Sequence, residues 1–284
     1  MIQLSFFATA AKHVESLLTE ELRGLGMADA TESRAGARFT GTLADAYRVC
    51  LWSRVASRVL LPLAEFPAET PEALYAGIAE IPWEDHLGAG DTFAVHLDTV
   101  ASRLSHGHFG ALKVKDAIVD RFRDRQGTRP DVRLERPDLQ VHVYLYRDRA
   151  TVSLDLSGES QHRRGYRAQG VAAPLKETLA AAILLRAGWP KIATGGGALL
   201  DPMCGSGTLP IEAAMIAADL APGLLRGHWG FLGWRQHQPD AWEALLDEAR
   251  ERRAKGLARI GSIRGYDRDP RAVRIALANL ERAG

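Results

Sequence analysis

Cysteine is scarce in this 284-residue chain: Cys50 and Cys204 lie far apart in unrelated contexts, which excludes a disulfide framework and a four-cysteine zinc site. Long apolar runs are missing too. No stretch approaches the roughly 20 residues that a membrane-spanning helix needs, and Met1 to Ala11 lacks the basic start and apolar core of a secretory leader. A cytoplasmic protein without a membrane partner is therefore expected. Neither sign of charge prevails, since the formal net charge is +1. What is present is ordinary globular material, 46% hydrophobic and 25% charged, in a length that suggests about two domains.

The near-zero net charge hides an asymmetry. Residues 1–100 carry 7 basic against 14 acidic side chains, residues 101–170 carry 14 against 9, and residues 171–284 carry 15 against 12. The middle is the basic part, as a polyanion-binding surface would be; a solvated charged face has the same composition.

Hydrophobic periodicity divides the chain. A strand pattern at Ser5–Ala8, a helix at Lys12–Leu25, a β-rich stretch around Arg38–Gly41, a helix at Leu43–Trp52 and a strand at Arg58–Leu63 fit the β-α-β-β-α-β order of a ferredoxin-like unit, assigned to residues 1–68. A second α+β unit is assigned to 69–157. It has a strand at Thr92–Leu97, a helix at Phe109–Phe122, and strands Val141–Tyr146 and Thr151–Leu156 joined by a turn. On that helix Leu112, Val114, Ile118, Val119 and Phe122 form an apolar stripe, leaving Lys113, Lys115 and Arg121 outside it. Residues 158–173, rich in arginine and glycine, are expected to be a linker. From Pro174 to 284 the grammar becomes α/β, with a helix from Pro174, a short buried strand at Gly197–Leu200, helices at Thr208–Leu220, Gln238–Leu257 and Pro270–Arg282, and a strand at Ile263–Tyr266.

The sharpest signal is Asp201-Pro202-Met203-Cys204-Gly205-Ser206-Gly207-Thr208, leaving an apolar strand and opening a helix. Glycines there let backbone pass close to a ligand, and a helix start offers free N–H groups. The absence of Gly-Lys-Ser/Thr excludes a P-loop, and the third glycine of the dinucleotide fingerprint is missing. An acid at the strand end suits a cationic, nucleotide-like ligand. Cys204 reads as a small turn residue, with no base nearby to make it a nucleophile. His106 and His108 lack partners at metal spacing, so no metal is expected.

This block, followed by Ile211-Glu212-Ala213-Ala214, resembles motif I of class I S-adenosylmethionine-dependent RNA methyltransferases. Lys113-Val114-Lys115-Asp116-Ala117-Ile118-Val119-Asp120 resembles the helix of a THUMP RNA-binding domain, and Pro174-Leu175-Lys176-Glu177-Thr178-Leu179-Ala180 the helix before motif I in guanine-N2 members. Ala221-Pro222-Gly223-Leu224 and His228-Trp229-Gly230-Phe231 resemble an insertion in members acting on bacterial 23S ribosomal RNA. The resemblance implies a Rossmann-like methyltransferase domain after a ferredoxin-like and a THUMP unit, with S-adenosyl-L-methionine as cofactor and large-subunit ribosomal RNA as partner. It implies that Cys204, Gly205, Ser206, Gly207 and Thr208 shape the cofactor turn, that Asp201 meets its ammonium, and that Asp267 accepts its ribose hydroxyls. Glu177 and Thr178 are further candidates at its amino-acid end. Lys113, Lys115, Arg103 and Arg121 are the candidate RNA contacts. Asp267 follows Asp201 by 66 residues, against roughly 20 in the ordinary dinucleotide unit; the Pro222–Leu257 insertion accounts for the excess.

The family's acceptor motif, Asn-Pro-Pro-Tyr or similar, is absent: Asn279 is the only asparagine and none of the 13 prolines adjoins another. No catalytic residue is therefore assigned within the chain, and the acceptor motif is expected beyond Gly284. The expectation is that these residues are the N-terminal part of a longer enzyme forming N2-methylguanine, inactive by themselves. A THUMP methyltransferase of transfer RNA and a non-catalytic RNA-binding or assembly protein are the alternatives. Trp229, Phe231 and Trp234 either stack a flipped base or pack the insertion in place.

Overall fold

The computed structural model describes residues 2–167 and 175–284. The first unit runs β1 (Leu4–Thr9), α1 (Glu15–Gly24), β2 (Thr31–Ser33), β3 (Gly36–Gly41), α2 (Leu43–Trp52) and β4 (Arg58–Pro67). Thr42 starts α2 with a reciprocal cap: its hydroxyl accepts from the Asp45 N–H while the Asp45 carboxylate accepts from the Thr42 N–H, satisfying two otherwise orphaned donors. The second unit runs α3 (Pro71–Glu80), β5 (Thr92–Val100), α4 (Gly107–Gln126), β6 (Asp131–Val132), β7 (Leu139–Tyr146) and β8 (Arg149–Asp155). Gly127 ends α4 in the left-handed region at φ 68°, the usual glycine solution to the exposed carbonyls of a helix end.

The two units are not separate bodies. Their strands form one eight-stranded sheet in the order β2-β3-β1-β4-β8-β7-β5-β6. The joint is antiparallel pairing of β4 with β8, from Leu60 opposite Asp155 to Pro67 opposite Arg149. β4 reaches four residues past its expected end because β8 offers it a hydrogen-bonding edge, which strand propensity alone does not reveal.

The third part contains α5 (Glu177–Arg186), α6 (Trp189–Thr194), β9 (Leu199–Asp201), α7 (Thr208–Ala217), α8 (Pro239–Leu257), β10 (Ile263–Gly265) and α9 (Pro270–Ala283). β9 and β10 pair in parallel, with Asp201 opposite Gly265. The strand expected to be buried at 197–200 is partly open: Leu200 is 63% exposed, because a two-stranded sheet leaves one flank uncovered. α9 passes its expected end at Arg282 and runs to Ala283, and the Gly284 carbonyl accepts from Arg253 of α8 at 3.3 Å. No acceptor motif stands among residues 1–284. The expected helix start at Pro174 lies outside the described residues, as do residues 168–173 of the expected linker.

The rest of that linker is not a solvated connector. Gln161, Arg164 and Tyr166 are buried, and Arg164 donates to the carbonyls of Arg54 and Gln161, so the segment is core between the first unit and the third. The insertion also packs backwards. Trp229, Phe231 and Trp234 are all buried; Phe231 sits 4.2 Å from the Tyr47 ring of α2 and 5.1 Å from Trp242 of α8. Arg252 of α8 lies 3.7 Å from the Trp52 ring and binds Asp219 through two nitrogens. These aromatics pack the insertion in place: Phe231 lies against Tyr47 of the first unit, while Trp234 stacks on His86 of the second and donates its indole N–H to His86 Nδ1 at 3.1 Å. Among the described residues no helix is long and apolar enough to cross a membrane.

Candidate functional site

The loops after β9 and β10 leave the same, carboxyl, ends of two adjacent parallel strands, the place where open α/β sheets take ligands. Three hydrogen bonds stitch them together. Tyr266 N–H donates to the Asp201 carbonyl at 2.8 Å, Cys204 N–H to the Tyr266 carbonyl at 2.8 Å, and Gly205 N–H to Oδ2 of Asp267 at 2.9 Å. Oδ1 of Asp267 accepts from Asp269 N–H at 2.9 Å. The Asp269 and Gly205 amides hold the Asp267 carboxyl below its ordinary value, so it is ionised at neutral pH. Asp201 is anchored more lightly, Oδ1 accepting from Met203 N–H at 3.0 Å.

The glycines are required by geometry. Gly205 and Gly207 both have positive φ, +55° and +80°. A Cβ on Gly205 would meet nothing within 4 Å, so the turn faces open space there, whereas one on Gly207 would stand 3.0 Å from Cβ of Ala276 in α9. The buried Asn279 of α9 donates from Nδ2 to the Ser206 carbonyl at 3.0 Å, fixing the turn from below. Burial, together with Asp201 and Asp267, pushes the Cys204 thiol up, which keeps it protonated and unsuited to nucleophilic work.

Glu177 and Thr178 are buried at the start of α5. The Glu177 carboxylate is held by Arg167, whose Nε lies 3.0 Å from Oε1, while Nη2 of Arg167 donates to Oγ1 of Thr208 at 2.7 Å. One guanidinium thus ties α5 to the glycine turn. Behind it, the fully buried Glu212 of α7 accepts from the Tyr166 hydroxyl at 3.2 Å and faces Nε of Arg164 at 3.5 Å. Arg54 of the first unit reaches the same layer, donating to the Leu220 carbonyl at 2.9 Å. Arg164, Tyr166, Arg167 and Asn279 escape sequence reasoning. The available signal is Glu212 in the middle of an apolar helix, a buried charge that demands arginine partners.

A cleft of about 580 Å³ opens where this segment meets the second unit, with Arg136, His162, Arg163, Lys176, Arg226 and His228 among its lining residues. Its cationic character shows in His162, pushed down to about 4 by burial and then by Lys176, Arg163, Arg164 and Arg167. Arg226 is already committed, donating to the carbonyls of Ser157, Glu159, Ser160 and Arg163.

The four candidate RNA contacts fare differently. Lys113 lies over the Phe109 ring at 5.8 Å and Lys115 sits 2.6 Å from Asp116, both on α4. Arg103 is exposed but paired with Glu69 at 2.7 Å. Arg121, expected to stand free, is 9% exposed and bound to both Glu84 oxygens at 3.0 Å and to the Ala79 carbonyl: α3 packs against α4 at that point and encloses its guanidinium. Leu112, placed in the apolar stripe, is 43% exposed instead, because the buried face of α4 runs through Val114, Ala117, Ile118 and Phe122.

Three family models match successive parts of the chain. Residues 5–60 match the RlmL ferredoxin-like domain, 68–155 the THUMP domain, and 164–284 the RMKL-like methyltransferase domain. A ribosomal RNA large subunit methyltransferase K/L of Syntrophotalea carbinolica is 59% identical over 281 residues, 99% of this chain and 39% of that protein; the chain thus spans about two fifths of such relatives. A crystal structure from Listeria monocytogenes, described as a predicted N6-adenine-specific DNA methylase, superposes with a TM-score of 0.86 at 33% identity, covering 100% of this chain and 73% of that one. A putative methyltransferase complexed with SAH gives 0.85 at 32% identity with the same coverage.

Proposed function

The chain belongs to the family of THUMP-containing, RMKL-like methyltransferases, and we propose that it supplies the RNA-holding units and part of the S-adenosylmethionine site of an enzyme that forms N2-methylguanine in 23S ribosomal RNA. The observation that carries this reading is the stitch between Gly205 and Asp267, which sets two carboxylates at the mouth of one glycine turn. The residues suit the cofactor. Asp201 offers an anion to its ammonium, the turn from Cys204 to Thr208 has open space over Gly205 for the methionyl part, and the ionised Asp267 has lone pairs left for ribose hydroxyls. Bound there, S-adenosylmethionine supplies an electrophilic methyl group. This chain's residues orient it and exclude water, which is most of what a direct displacement asks of a protein. The acceptor side of the reaction is assigned to none of these residues.

RNA is held by the basic middle of the chain, through Lys113 and Lys115 on α4 and the cationic cleft. Phosphate contacts of this kind position a substrate without reading its bases. The test is twofold. Titration with S-adenosylhomocysteine is expected to show saturable binding that Asp267→Ala weakens at least tenfold without changing the circular dichroism spectrum. Labelled methyl transfer by the natural protein carrying this sequence is expected in 23S ribosomal RNA as N2-methylguanosine. Label in an adenine, or in transfer RNA alone, overturns the substrate assignment, and no cofactor binding overturns the site.

A further inference from the structure

β5 and β7 run side by side in parallel with His96 directly opposite His142. Strand alternation puts Asp98, two residues after His96, on the same face as both histidines. It sends Phe93, Leu97, Val141 and Val143 to the other face, where α4 covers the sheet. No helix is needed to build the cluster, since strand register alone delivers all three side chains to one spot. Nε2 of His96 lies 3.3 Å from Oδ1 of Asp98, and Nε2 of His142 lies 3.1 Å from Oδ2. The three ligating atoms fall within 4.8 Å of one another.

The two histidine-to-carboxylate separations are those found between donors around one metal ion, and the third pair lies within 4.8 Å. Donors at about 2.0–2.2 Å from a zinc ion stand about 3.0–3.5 Å apart around it. The Asp98 carboxylate accepts from both imidazoles; a divalent cation at the two Nε2 atoms takes the place of those protons, each moving to Nδ1 of its ring or leaving a ring that is charged. His142 is nearly buried, which fixes one ligand, while His96 and Asp98 are half exposed, which leaves an entry path. The neighbouring charges do not oppose a cation: Arg58 is ion-paired to the buried Asp155, so its charge is offset.

We infer that His96, Asp98 and His142 form a three-ligand site for a divalent transition-metal ion, zinc above all, on the open face of the shared sheet. Two imidazoles and one carboxylate without a thiolate suit zinc, cobalt or nickel, and disfavour calcium and copper(I). Three protein ligands leave a coordination position open to water or to a substrate oxygen. The site lies on different strands from the glycine turn and is independent of the cofactor assignment.

The experiment titrates chelator-treated protein with zinc and cobalt(II) at pH 7.5. One equivalent is expected at micromolar metal, with visible cobalt bands of a nitrogen- and oxygen-bound ion. His96→Gln and Asp98→Asn each lower zinc affinity at least tenfold while S-adenosylhomocysteine binding and the melting temperature in chelator stay as they were. Both replaced side chains are half exposed, and a measurement on unaltered protein avoids substitution altogether: the imidazole nitrogen signals of His96 and His142 shift together on zinc addition. Failure to saturate at micromolar zinc, affinity indifferent to both substitutions, or shifts confined to other histidines overturns the site.

Discussion

Asn279, on the last helix, donates its side-chain amide to the backbone carbonyl of Ser206, in the middle of the glycine turn, at 3.0 Å and out of contact with water. The turn is therefore held from two sides, by Asp267 through the Gly205 amide and by α9 through Ser206. Asn279→Ala leaves a buried carbonyl without its donor, at a cost of about 1–3 kcal/mol. Chemical denaturation is expected to show that loss, and S-adenosylhomocysteine titration a matching decline in affinity.

The two glycines of the turn are expected to respond unequally to alanine. Either substitution forces an L-residue into the left-handed region, costing about 1–2 kcal/mol. Gly205→Ala adds nothing further because its Cβ meets open space, whereas Gly207→Ala also presses on Ala276 of α9. Thermal melts are expected to rank Gly207→Ala below Gly205→Ala. The ligand titration is expected to penalise Gly205→Ala more than its stability loss implies, since its new methyl occupies the open side.

Lys113 and Arg121 share a helix but not a role. Lys113→Ala is expected to weaken RNA binding and to reduce the slope of log affinity against log salt by about one. Arg121→Ala leaves Glu84 without its enclosed partner and is expected to destabilise the fold by about 3 kcal/mol, with no change in that slope. Filter binding across a salt series and urea melts separate the two.

His162 supplies a pH prediction. Its imidazole is pushed down to about 4 by burial first, then by Lys176 and the neighbouring arginines. With its ordinary value near 6.5 restored on unfolding, the unfolded chain binds the proton first as pH falls. The stabilisation from a neutral His162 is thus complete above about pH 6.5 and lost progressively towards pH 4. His86, His228 and His237 are also lowered by burial and add the same sign. His162→Gln is therefore judged by difference: its melting temperature falls less steeply than that of the unaltered protein between pH 6.5 and 4.

Local signals serve well where local physics decides. Leu43–Trp52 is legible as a helix to the residue, because the Thr42 and Asp45 cap and the following apolar stripe define both ends. The Asp201–Thr208 block is legible because only glycine tolerates its positive φ values. What escapes is set by pairing at a distance. Nothing near β4 announces that β8 will extend it to Pro67, and the arginine-rich stretch before residue 168 reads as a solvated linker because its partners, Glu212 and the Arg54 carbonyl, lie far away in sequence. Likewise His96 and His142, 46 positions apart, meet through strand register alone, and no motif spacing encodes that.

The continuous pairing of β4 with β8 makes the first two units a single beam. A hinge between them would break a row of ladder hydrogen bonds, and the buried layer of Arg54, Arg164 and Glu212 bolts the nucleotide part to the same beam. The span from α4 to the glycine turn is thereby constant. The distance between the two is therefore a property of the frame itself, set by strand pairing and buried arginines and not by anything that binds.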